Sequence, residues 1–129
     1  MIQRFIELGE GYGDLYELIE LAKANRSRVA YLLSLQTVVN GKEVCSPAVI
    51  LNPASEGNFQ PIYISREGIP NSNVLKNKRF SLFQEMADNL GKDIISVDVK
   101  PSTMFAEKEL YYQYLTGILR MNRYLLPLR

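Results

Sequence analysis

Val29-Ala30-Tyr31-Leu32-Leu33-Ser34-Leu35-Gln36-Thr37-Val38-Val39-Asn40-Gly41-Lys42-Glu43-Val44-Cys45-Ser46-Pro47-Ala48-Val49-Ile50-Leu51 is the stretch that decides the fold class. Asn40-Gly41 is the strongest short hairpin signal, because both central residues of a type I′ turn need positive φ. The flanking runs are rich in β-branched and aromatic residues, as strands are. Val29, Tyr31, Leu33, Leu35 and Thr37 share one face of the first strand. Ala30 and Leu32 on the other face are apolar too, so that strand is expected to be covered on both sides at its near end. In the return strand Pro47 has no N–H for the ladder, which predicts an edge strand or a bulge there.

Toward the N-terminus, Ile2 to Leu8 alternates as a short strand, and Gly9, Gly11 and Gly13 then interrupt regular structure. Asp14 with Glu17 three residues on makes a capping-box pattern, and Leu15, Leu18, Ile19 and Ala22 follow at helical spacing, predicting a helix over 14–24. Toward the C-terminus, 52–58 reads as a loop, Phe59–Ser65 as a strand and Arg66–Asn73 as a loop. Phe80, Phe83, Ala87 and Leu90 stripe a helix over 77–90, stopped by Gly91. Ile94–Val99 is a strand closed by Pro101. Ser102 or Thr103 is expected to cap a last helix of some five turns, with Leu110, Tyr114, Leu115, Ile118 and Leu119 as its apolar face. The order β-α-β-β-β-α-β-α predicts an α/β (α+β-like) protein with one mixed sheet of about five strands and three helices, in a single domain over 1–129.

At 129 residues and 47% hydrophobic, the chain can bury a core without staples. One cysteine, Cys45, allows no internal disulfide, and no apolar run approaches the roughly 20 residues of a membrane span. A charged N-terminus does not read as a signal peptide, so the expected location is cytoplasmic, without membrane association. The net charge is +1, which is no footprint for nucleic acid, although residues 1–24 carry five acidic against two basic side chains. With no histidine, Ser-His-Asp and Cys-His catalysis and histidine-ligated metal are excluded; no metal site and no cofactor is expected.

Several stretches qualify as sites. The turn Gly9-Glu10-Gly11-Tyr12-Gly13 has neither phosphate-loop spacing, and Glu10 and Asp14 put carboxylates where an anion would sit, so a tight turn is the better reading. Asp98-Val99-Lys100-Pro101-Ser102-Thr103 ends a strand and enters a helix, the position where ligands favour open α/β sheets. Lys100, Ser102 and Thr103 there are candidates for an anionic ligand, against the plainer reading of a helix cap. Arg66-Glu67-Gly68-Ile69-Pro70 follows another strand end and adds Arg66 and Glu67 as ligand-binding candidates, or is a plain turn. Tyr111 and Tyr112 cannot share a face, so one ring is expected to be exposed and to serve an interface. Cys45 reads as an inert buried thiol.

The opening Met-Ile-Gln-Arg-Phe-Ile-Glu-Leu-Gly-Glu-Gly-Tyr, the central Tyr63-Ile64-Ser65-Arg66-Glu67-Gly68-Ile69-Pro70 and the run Asp98 to Tyr112 resemble a small uncharacterised family of Bacillus-type bacteria, over the whole chain. Some of its members carry the label methylthioribose kinase. Phosphoryl transfer of that kind needs a nucleotide cradle, a phosphate-binding lysine and metal-holding carboxylates, and no such motif is present. From the first helix onward the order α-β-β-β-α-β is also similar to the PD-(D/E)xK nuclease fold. The acids and lysine of such enzymes have no counterpart in Val44–Leu51 or Phe59–Ser65.

The expectation is therefore a non-catalytic binding or interaction protein, homodimeric, with a protein partner or a small anionic ligand. Two rivals stand beside it. One is a small-molecule enzyme using Arg66, Glu67, Asp98 and Lys100. The other is a catalytically degenerate nuclease-like domain touching nucleic acid through Lys76, Lys78 and Arg79.

Overall fold

The structure, a computed structural model, describes residues 3–8, 13–55, 59–65, 69–70 and 78–125. Its elements are β1 (Gln3–Glu7), α1 (Gly13–Ala24), β2 (Val29–Val39), β3 (Lys42–Leu51), β4 (Gln60–Ile64), β5 (Ile69–Pro70), α2 (Lys78–Leu90), β6 (Ile94–Asp98) and α3 (Lys108–Met121). One mixed sheet runs β1-β4-β3-β2-β6, and the two-residue β5 extends it beside β3. β1 pairs with β4 and β2 with β6 in parallel, while β3 is antiparallel to β2, β4 and β5. The four long strands other than β3 thus share one direction, and their carboxyl ends meet at one edge of the sheet.

Alternation along the strands divides the core in two. Leu32, Cys45, Val49 and Leu51 face α1 and α2, whose Leu15, Leu18, Ala22, Phe83, Met86 and Ala87 close over them. Leu33, Leu35, Ala48, Ile50, Ile62 and Ile64 face the other way, against Tyr111, Leu115 and Leu119 of α3. Val29 sides with the α1–α2 layer, not with Tyr31 and Leu33 as strict alternation predicts. The register against β3 slips between Val29 and Tyr31, and this bulge turns the intervening residue.

Asn40 (φ 52) and Gly41 (φ 78) form the expected hairpin turn. Gly91 (φ 70) closes α2, with Lys92 N–H donating to Ala87 O and Gly91 N–H to Asp88 O, a Schellman cap.

Four expectations are corrected. β3 is neither an edge nor bulged at Pro47: it lies inside the sheet, with Pro47 opposite Ser34. Its partner changes there, from β4 beside Ala48–Ile50 to β5 beside Val44–Cys45. The Pro47 carbonyl accepts from Ser65 N–H at 3.0 Å on that side, so the missing donor faces the handover and leaves the β2 ladder whole. Secondly, the loop predicted over Arg66–Asn73 contains β5.

Thirdly, the last helix does not start at Ser102 or Thr103. Ser102–Met104 is a single 3₁₀ turn that ends at Phe105, whose backbone is extended. The Phe105 ring lies 5.6 Å from that of Tyr111 and 5.1 Å from that of Tyr114, and this packing fixes the break before α3 begins at Lys108. Fourthly, the buried face of α3 is Tyr111, Leu115 and Leu119, and Leu110 is exposed. Neither Tyr111 nor Tyr112 is an exposed ring: Tyr111 is 4% accessible and Tyr112 is half-buried.

Candidate functional site

A cavity of about 580 Å³ opens at the shared carboxyl edge, on the α3 side of the sheet. Small-molecule clefts occupy roughly 300–1,000 Å³ and favour this edge of α/β sheets. Its floor forms where β3 passes from β4 to β5: Val44 and Ser46 from β3 lie beside Ile64 and Ser65. Ser46 and Ser65 are buried, and the Ser65 hydroxyl donates to Pro47 O at 3.4 Å. Tyr111 and Tyr112 form the wall, one turn into α3, and Ser102 and Thr103 of the 3₁₀ turn stand above them.

Charge gathers at the rim. Lys108 Nζ lies 2.8 Å from Glu7 Oε2, tying the first residue of α3 to the last of β1. Lys42 enters from the start of β3, brought there by the Asn40-Gly41 turn. Among the described residues the three charged lining side chains thus sum to one net positive charge, over an aliphatic floor of Val39, Val44 and Ile64. Such a hollow can take an apolar body with an acid group at its mouth.

Two further contacts hold this rim in place. Phe5 stacks on Tyr112 with centroids 4.7 Å apart, and Arg120 donates to Gln3 Oε1. Glu7, Phe5 and Gln3 lie on one face of β1, and Lys108, Tyr112 and Arg120 on one face of α3. The three stretches that carry the family resemblance all reach this cleft, through Glu7, through Ile64 and Ser65, and through Ser102 to Tyr112.

The model for a domain of unknown function, DUF7147, matches residues 1–125. The chain belongs to the DUF7147 family. No curated protein matches it, and no solved structure does. No helix among the described residues of this DUF7147 chain is long and apolar enough to cross a membrane.

Of the residues picked out in this family member by sequence, Ser102 and Thr103 line the cleft and Lys100 does not. The Lys100 N–H donates to Tyr114 Oη at 3.0 Å, and its ammonium lies 5.9 Å from the Tyr114 ring centroid. Lys100 instead borders a separate hollow with Asp98, Glu43 and Thr37, at the ends of β2 and β6. The 3₁₀ turn also commits the amides of Met104 and Phe105, to Pro101 O and Ser102 O. Arg66, Glu67, Lys76 and the turn 9–12 lie outside the described residues, as do the side chains of Asp14, Lys78 and Arg79. Among the described residues no three Cys, Asp or Glu side chains gather as a metal site.

Sequence reasoning missed Glu7, Lys42, Ser46 and Ser65. One signal was available: Ser46 interrupts the apolar alternation of Val44 and Ala48 on an inward face. Glu7 and Lys108 carry no local signal, because their pairing spans 101 positions. Cys45 is buried under α1 and α2, and burial pushes its thiol above the ordinary value, with a contact to Ser34 pulling partly back.

Proposed function

We propose that this DUF7147 domain binds a small organic anion with an apolar body, in the cleft between α3 and the carboxyl ends of the strands. The observation that carries this is the pairing of an aliphatic floor (Val39, Val44, Ile64) with a cationic rim (Lys42, Lys108) in one hollow of about 580 Å³. Ser102 and Thr103 bring neutral hydroxyls to the cleft lining. Self-association through Tyr111 and Tyr112 has less to support it, since the Tyr111 ring is buried and the Tyr112 ring is half-buried against Phe5.

The test is a thermal-shift screen of aromatic and aliphatic carboxylates, phosphates and sulfonates against their neutral analogues. A ligand at a hundred times its Kd stabilises a fold by about 2.7 kcal/mol, a shift of several degrees. Amide shifts in NMR then locate the hit. Changes at Lys42–Val44, Ser102–Thr103 and Lys108–Tyr112 support the cleft. Changes confined to the groove between α1 and α2, at Tyr16, Glu20 and Leu82, overturn it.

A further inference from the structure

Building on the cleft as a binding site for organic anions, we infer that Glu7 is a built-in competitor for the ligand, so that an incoming acid group must take Lys108 from it. The Glu7 carboxylate holds the Lys108 ammonium at 2.8 Å, at the cleft mouth. A ligand acid entering over the aliphatic floor meets that same ammonium.

Exchange is cheap at this position. The pair is partly solvated, with side chains 64% and 36% accessible, and ion pairs of that kind are weak. Opening it does not require β1 to move. Phe5 remains stacked on Tyr112, Gln3 remains bonded to Arg120, and β1 remains paired along β4. Glu7 is the last residue of β1 and its side chain is exposed, so its carboxylate can part from Lys108 while the backbone stays. A neutral ligand gains nothing from Lys108 and leaves the pair closed. Glu7 therefore sets selectivity: it rejects weakly bound anions, and it makes Lys108 the specificity-determining cation.

Two fluorescent probes of nearly the same ring body separate these roles. Anilinonaphthalene sulfonate carries an acid group, and phenylnaphthylamine lacks it. Glu7→Gln removes the competitor's charge, and Lys108→Met removes the cation; thermal unfolding checks that both variants fold. We expect Glu7→Gln to bind the sulfonate up to about fivefold tighter, the range of an exposed ion pair. Lys108→Met is expected to bind it about tenfold more weakly, the loss of a charged hydrogen bond. Phenylnaphthylamine affinity should be unchanged in both. Sulfonate affinity that is equal or weaker in Glu7→Gln overturns the competitor role, and the cleft reading stands if the probes still shift the Ser102 and Tyr112 amides. If neither probe perturbs those amides in the wild-type chain, the cleft reading fails and the inference with it.

Discussion

The rings of Phe5 and Tyr112 lie face to face, 4.7 Å between centroids and 6° from parallel, joining the first strand to the last helix. The contact is the middle rung of three, between Lys108–Glu7 and Arg120–Gln3. Two strand residues advance about 6.6 Å and four helix residues about 6 Å, so Glu7 and Phe5 meet Lys108 and Tyr112 in register. Arg120, two turns further on, reaches back to Gln3 with its long side chain. This ladder seats β1 at the sheet edge and places Glu7 at the cleft mouth.

Stacking of this kind carries energy beyond the area it buries. A double-mutant cycle with Phe5→Leu and Tyr112→Leu, followed by urea unfolding, should give a coupling of about 0.5–1.5 kcal/mol. Additive effects within about 0.3 kcal/mol would mean the two rings are merely adjacent.

The ion pair one rung away should behave differently. Because both partners are partly exposed, Lys108→Met is expected to cost no more than about 1 kcal/mol at low salt, and less in 1 M salt. Urea midpoints at the two ionic strengths measure it. A loss of several kcal/mol that salt does not reduce would show a buried role for Lys108 instead.

At the end of α3 the chain uses an arginine where glycine is usual. Arg123 has φ 63, with its N–H bonded to Arg120 O and that of Tyr124 to Leu119 O. This Schellman geometry places an L side chain in the left-handed region, which costs roughly 1 kcal/mol. Arg123→Gly should accordingly raise stability by about 0.5–1 kcal/mol in thermal unfolding. A destabilised variant would show that the arginine side chain contributes more than its backbone costs.

Cys45 adds an alkaline limit. Its folded thiol titrates above the ordinary value of 9.0, through burial, so the neutral form is favoured by folding. Stability from this group is complete below pH 9.0 and declines as pH rises above it, because the unfolded thiol ionises first. Wild type should lose stability faster than Cys45→Ala between pH 9 and 10.5, when each is compared with its own value at pH 7. Parallel curves would sink the argument. Thiol reagents should react with the folded chain only as it opens.

The hairpin at Asn40-Gly41, the α1 stripe of Leu15, Leu18, Ile19 and Ala22, and the stop at Gly91 were all legible in the chain, because each depends on residues within a few positions of one another. A positive-φ turn, a 3.6-residue stripe and a cap declare themselves wherever they are found. The same locality made the element order readable, and with it the class of fold.

Pro47, Phe105 and the cleft were settled across the fold instead. Proline forbids a ladder bond, but whether that bond is missed depends on which strand stands beside it, and β4 gives way to β5 at that residue. Phe105 has no helix-breaking chemistry; its ring finds Tyr111 and Tyr114, and the backbone follows. Of the site, Ser102 and Thr103 could be named because a strand end before a helix is a local pattern, whereas Glu7 and Lys108 became neighbours only when α3 folded back along β1. Periodicity is written in adjacent residues, but a contact between the two ends of a chain exists only after strand order and helix packing have closed the distance between them.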